Sequence, residues 1–166
     1  MQISRSRAKN ETAHRERAES EQAFNADSDN IAQVISEQVV LGCLIENPAL
    51  LGDILTTGIA AEHFLLSNHA RAFEAILALH RNGAPIDLLS VADELGGDQN
   101  AFALVGQLVY GVVVESRHAR YHATRVMSNA RARQLLRISE WIPQGLAELR
   151  DPDLLIAEIR ERLDRV

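Results

Sequence analysis

With one cysteine, one lysine and no glycine before position 42, this sequence of 166 residues is best read first by what it lacks. Cys43 lies inside an apolar run, and a single cysteine excludes both a disulfide framework and a multi-cysteine zinc site. Lys9, alone against sixteen arginines, precedes the first glycine, Gly42. The glycine-rich turn followed by Lys and Ser or Thr that cradles nucleotide phosphates is therefore absent, and the usual NTPase machinery with it. Four Phe, two Tyr and one Trp are too few for a platform that stacks single-stranded bases. No apolar stretch approaches the ~18 residues that a bilayer span needs. The opening MQISRSRAKNETAHRERAES has no hydrophobic signal region, so the expected location is cytoplasmic.

What is present describes a soluble globular chain. Hydrophobic residues make up 46%, charged residues 24%, and the net charge is −6. A chain of this length buries a core without disulfides or metals. Residues 1–30 read as a polar tail, with five basic and six acidic groups and two large apolar residues, Ile3 and Phe24. From Ile31 the period becomes helical: Ile31, Val34, Ile35, Val39, Gly42 and Cys43 step at three- and four-residue spacing up to Asn47-Pro48. Pro48 opens a short helix that Gly58 closes. Ser67 is the expected cap of the next helix, on which Phe73, Ile76, Leu77 and His80 share a face and Asn82-Gly83 make the stop. Asp87 is the expected cap of LLSVADEL, which ends at Gly96-Gly97, and AFALVGQLVY forms a further helix. GVVV is the one segment with strand character. A single strand has no partner, so residues 31–114 are expected to form an all-helical head.

Residues 115–166 are built differently. SRHARYHATRVMSNARARQLLRISEW is a long helical pattern with Ala119, Ala123, Val126 and Ala130 on one stripe and Leu135, Ile138 and Ile142 extending the apolar surface. Pro143 with Gly145, and then Asp151-Pro152, read as breaks. The last segment places Ile156, Ile159, Leu163 and Val166 on one face, so the two helices are expected to fold into a hairpin. Charge is segregated in step: −7 over 31–114, +5 over 115–137 and −3 over 138–166.

No pattern of catalytic residues emerges. His118 and His122 share a helical face, but no HExxH and no third ligand accompany them, which favours packing or solvent exposure over metal binding. For His63 and His69, capping or packing is favoured. The serines fit caps or helix positions without a GxSxG elbow, and Cys43 fits a buried, unreactive thiol. Arg117, Arg120, Arg125, Arg131, Arg133 and Arg137 lie on one helix. A small DNA-binding or architectural protein using this helix is one reading. A basic helix facing acidic protein surface is the favoured one.

The stretch from Ser36 to about Arg137 resembles the N-terminal domain of the DnaB-type bacterial replicative DNA helicase. The residues that carry the likeness are SEQVVLGCLIENP with Glu37-Gln38, then EHFLLSNHARAFEAILALHRNGAPIDLLSVADEL. In the latter, Phe64, His69, Phe73-Glu74 and Pro85-Ile86-Asp87-Leu88 stand at the family's spacing, and Tyr121, Ala123, Val126 and Ala130 match its first hairpin helix. Ala101-Phe102 and Val114–His118 depart from it. The resemblance implies an all-α head followed by a helical hairpin, 31–166 together forming one such domain. Hairpins of that family pair into dimers, and three dimers make a collar that stabilises the hexamer and docks primase and loading factors. It also implies a non-catalytic interaction module with no cofactor. The chain is either part of a longer helicase or a stand-alone protein that joins one. Its implied partners are itself (a dimer or a hexamer), the replicative helicase, and primase or a helicase loader, with DNA contact weak or indirect and no membrane. The expected interface residues are Arg120, Tyr121, Arg125, Arg131, Arg133, Leu135, Ile138, Ile159 and Leu163, the apolar ones contributing ~25 cal/mol per Å² buried and the arginines fixing register.

Overall fold

The computed structural model describes residues 30–111, 115–148 and 151–164, and every regular element among them is helical. The chain order is α1 (Asn30–Glu46), α2 (Leu51–Leu55), α3 (Ser67–Arg81), α4 (Leu88–Glu94), α5 (Gln99–Tyr110), α6 (Ala119–Ala147) and α7 (Pro152–Leu163). Short 3₁₀ turns precede α2, α3 and α6 at Pro48–Leu50, Ala61–His63 and Ser116–His118. The expected all-α architecture, a head and a C-terminal hairpin, is what the chain adopts. The GVVV segment falls mostly outside the described residues.

α1 is the central strut. Its C-terminal half is apolar on every side, with Val39, Val40, Leu41, Cys43, Leu44 and Ile45 all buried, the mark of a helix surrounded by others. Gly42 permits the closest crossing: a methyl group there would strike the carbonyl oxygen of Leu108, so α5 lies directly on α1 at this point. Leu51 and Ile54 of α2, Phe73 and Ile76 of α3, Val91 of α4 and Val105 of α5 complete one core. The rings of Phe64 and Phe73 meet within it at 5.1 Å. Gly58 and Gly83 adopt φ of +81° and +65°, the left-handed conformation that terminates a helix at little cost only in glycine. Asp87 caps α4 by accepting from Ser90 N at 2.8 Å, and Asp98 caps α5 in the same way from Ala101 N.

Three expectations need correction. Ser67 is the first residue of α3 and not its cap; the cap position is Leu66, whose side chain makes no capping bond. His80 is exposed, and Leu79 takes the buried position expected of it. Pro143 does not break the hairpin's first helix: α6 runs through it to Ala147, and the turn lies after that point. Pro143 lacks the N–H that would bond the Ser139 carbonyl, but the flanking turns keep the helix going. Asp151 and Pro152 then start α7, the Asp151 carboxylate accepting from Asp153 N at 2.9 Å.

α6 belongs to two parts of the molecule. Ala119, Ala123, Val126 and Met127 are buried in the head core, whereas Ile138 and Gly145 are buried further along, where α7 contributes Leu155. The Arg162 guanidinium sits 4.2 Å from the centroid of the Trp141 ring across the hairpin.

Candidate interaction surface

The geometry of the hairpin is fixed from inside the head. Glu37 on α1 is fully buried, and its carboxylate is surrounded by donors. Oε1 accepts from Leu65 N at 2.5 Å, and Oε2 lies 3.4 Å from Leu66 N and 2.9 Å from His69 Nδ1. Gln33 Nε2 approaches Oε1 at 3.5 Å from one turn earlier on α1. These bonds hold the loop that leads into α3 from 28 and 29 residues away, whereas within the first turn of α3 His69 N donates to Asn68 Oδ1 at 3.0 Å. Between them α1 and α3 hold the loop at 64–66.

α6 grips the same loop from its other side. Arg133 Nη2 donates to the His63 carbonyl at 2.7 Å, and its guanidinium, though pushed down by burial, feels the opposing pull of the Glu37 charge. His63 Nδ1 in turn accepts from Ala60 N at 2.9 Å, closing the 3₁₀ turn. Earlier on α6, His122 Nδ1 lies 3.3 Å from the Oγ of Ser36, a hydroxyl that already donates to Ala32 O. Burial is the main reason that both His63 and His122 titrate below their ordinary value; Arg131 and Arg133 push His63 the same way against Glu62, and Arg125 and His118 push His122. Burial also raises the Cys43 thiol, with Glu46 adding to the effect, so this cysteine is an inert core residue.

The residues expected to form an interface fall into two groups. The polar group is largely occupied within the chain. Arg120 pairs with Asp53 of α2, Arg133 holds the His63 carbonyl, Arg131 is exposed and has an interaction of its own, and Arg125 is half-buried. Tyr121 is exposed, its ring edge-on to that of His122. Arg117, also on the arginine-rich stretch, pairs with Glu115. Among the described residues, no group of three or more His, Cys, Asp or Glu is arranged to hold a metal ion.

The apolar group divides differently. Ile138 is 8% exposed and packs inside the hairpin, and Ile159 is half-buried. Leu135 and Leu163 are 48% and 44% exposed. The structure adds Leu146 at 54% and Ile156 at 46%, neither of which was expected to line an interface. Leu135 and Leu146 are eleven residues apart on α6, and Ile156 and Leu163 are seven apart on α7, spacings that return a side chain to nearly the same face of a helix. The signal for Leu146 was readable in the sequence as one more step of that stripe, but the assumed break at Pro143 concealed it. The hairpin thus presents two open leucine- and isoleucine-bearing stripes, with the head fixing where they point.

Comparison with known proteins places this architecture. Residues 30–128 match the family described as DnaB-like helicase N terminal domain. The "Replicative DNA helicase DnaB" of Nostoc sp. (strain PCC 7120 / SAG 25.82 / UTEX 2576) is 28% identical over 129 residues, covering 70% of this chain. The chain spans 14% of the length of that relative. Among solved structures, the N-terminal domain of DnaB helicase from Mycobacterium tuberculosis matches with a TM-score of 0.71 at 24% identity, over 80% of this chain and 96% of that one. No single helix among the described residues is long and apolar enough to cross a membrane. With the helical head, the hairpin and the matched segment all in agreement, this chain belongs to the DnaB-like helicase N-terminal domain family.

Proposed function

We propose that this chain is a non-catalytic association module of DNA replication in the cytoplasm, acting through helix-to-helix contact between its hairpin and those of other copies. The observation that carries the reading is the pair of exposed stripes, Leu135 with Leu146 and Ile156 with Leu163, on a hairpin that buries little of its own. Exposed apolar surface of this kind associates because water is released from it, at ~25 cal/mol per Å². Pairing of hairpins gives a dimer, and dimers assemble further into a hexameric collar. In that form the module stabilises a replicative helicase ring and offers a platform to primase or a helicase loader. The bonds that Arg117, Arg120 and Arg133 make within the chain support this reading over a DNA-binding arginine helix, because those guanidinium groups are already engaged.

Native mass spectrometry of the purified chain, alone and mixed with a cognate replicative helicase and primase, tests the proposal. Dimers or hexamers of the chain, and added mass on a partner, are expected. Leu135→Asp and Leu163→Asp should each shift the distribution to monomer while leaving the far-ultraviolet circular dichroism unchanged. A strict monomer that joins neither partner overturns the proposal. Binding to duplex or single-stranded DNA that weakens steeply with salt would transfer the function to the arginine helix.

A further inference from the structure

We infer that Phe24, in the segment preceding α1, docks on a second apolar face of the head and covers it from within the same chain. That face is a shallow groove lined by Asn30, Ile31, Val34, Ile35, Leu65 and Leu66. Among the described residues no charged side chain lines it, and Ile31 and Ile35 are 62% and 42% exposed. Positions 31, 34 and 35 fall on one side of the first two turns of α1, so the groove runs along the helix from its N-terminal end. Its other wall, Leu65 and Leu66, is the loop whose N–H groups Glu37 holds, so the groove is preformed and needs no rearrangement to receive a side chain.

The chemistry of the preceding segment matches this groove at one place. Residues 1–29 are crowded with charge, and their longest uncharged stretch is Gln22–Ala26, with Phe24 at its centre. Apart from Met1, the other large apolar side chain of the segment is Ile3, far along the chain. Phe24 stands six positions before Asn30, a span of at most about 20 Å. The groove extends only roughly 8 Å along α1, at 1.5 Å per helical residue, so the reach is ample. Asp27, Ser28 and Asp29 lie between, residue types favoured at helix N-caps and in turns. A second copy must supply its side chain from bulk solution, whereas Phe24 is tethered at high effective concentration, which favours the intramolecular occupant. The consequence is a division of labour between two apolar surfaces: the hairpin stripes stay open, and the α1 groove is closed by the chain itself. The inference is independent of hairpin pairing, since it concerns a different face.

The test uses the full chain with isotope-labelled isoleucine δ1 methyl groups, observed by nuclear magnetic resonance at two protein concentrations. Phe24→Ala should move the methyl signals of Ile31 and Ile35, because the ring current of the phenylalanine is lost. Ile54 and Ile76, buried in the core, should stay in place and report that the head is intact. Phe24→Trp should keep Ile31 and Ile35 displaced from their positions in the alanine variant. Signals of Ile31 and Ile35 that are the same with and without the Phe24 ring overturn the inference. So do signals that shift with protein concentration alike in both chains, which would assign the groove to a second copy. The hairpin variant Leu135→Asp, run in parallel, separates this result from any failure of hairpin association.

Discussion

Glu37 is the residue on which the head's geometry turns. It is a fully buried carboxylate, and its value lies in the number of donors that converge on it from α1, the 64–66 loop and α3. Glu37→Ala leaves the Leu65 and Leu66 N–H groups and the His69 ring without an acceptor. We expect a loss of about 3 kcal/mol in urea unfolding, the range for breaking a buried polar pair by removing one member. Glu37→Gln keeps the shape and one acceptor oxygen, so its loss should be smaller; equal losses for the two variants would show that the hydrogen bonds are not what matters. A second prediction concerns acid. His63 and His122 both titrate below the ordinary imidazole value of 6.5, chiefly because burial disfavours the charged ring. A lowered folded value means that the unfolded chain takes up protons first. The stability these rings contribute is therefore complete above pH 6.5 and is lost as pH falls through their lower folded values. The Tm should drop as pH falls below 6.5, and the double variant His63→Gln, His122→Gln should flatten that drop. An unchanged slope in the double variant would refute the assignment.

Among the elements, α6 shows most clearly what local sequence conveys and what it does not. The caps at Asp87 and the stop at Gly83 were readable because the physics is local: a carboxylate three residues from an N–H, and a glycine where φ must be positive. The stripe Ala119, Ala123, Val126 and Ala130 was readable from period alone. Ser67 and Pro143 misled for the opposite reason. The loop that leads into α3 is held by a carboxylate 28 and 29 residues away, which no local window on the sequence contains. At Pro143 the intrinsic penalty of proline is overridden by the packing on either side, including Gly145, whose burial keeps the helix seated. Among the surface residues, Leu135 and Leu163 were legible as apolar positions, whereas the engagement of Arg120 and Arg133 depended on where α2 and the 3₁₀ turn at Ala61–His63 come to lie. Pro143→Ala restores the missing N–H opposite the Ser139 carbonyl. It should raise ellipticity at 222 nm and stabilise the chain by about 1 kcal/mol or more, short of the ~3 kcal/mol intrinsic cost of an interior proline. No gain would mean that the proline's fixed backbone geometry is needed for α6 to meet α7.

For the whole molecule, the question is what fastens hairpin to head. The Arg120–Asp53 ion pair is one polar link, beside the Arg133 bond to the His63 carbonyl, but both of its side chains are about half exposed to solvent, 56% and 51%. A double-mutant cycle on Arg120→Ala and Asp53→Ala should therefore give a coupling below about 1 kcal/mol. The fastening is apolar: Val126 is fully buried within the head core, although it belongs to the helix that forms the hairpin. Val126→Asp should unfold head and hairpin together in one transition, seen alike by circular dichroism and by the fluorescence of Trp141, the sole tryptophan. Loss of the tryptophan signal ahead of the helical signal would divide the chain into two cooperative units at that point.

A helix seated in the head over its first half and free of it over its second has a mechanical consequence. Arg133 is the last α6 side chain with a hydrogen bond to the head described above, and 14 residues of α6 follow it, Gln134 to Ala147. At 1.5 Å per residue that overhang is roughly 21 Å long, so a tilt of about 10° at its base carries the far end through about 4 Å. The overhang works as a pointer. Sub-ångström adjustments where Glu37 and Arg133 clasp the 63–66 loop are multiplied several-fold by the time they reach Leu146, so the aim of the hairpin's far end is set by the smallest movements in the molecule.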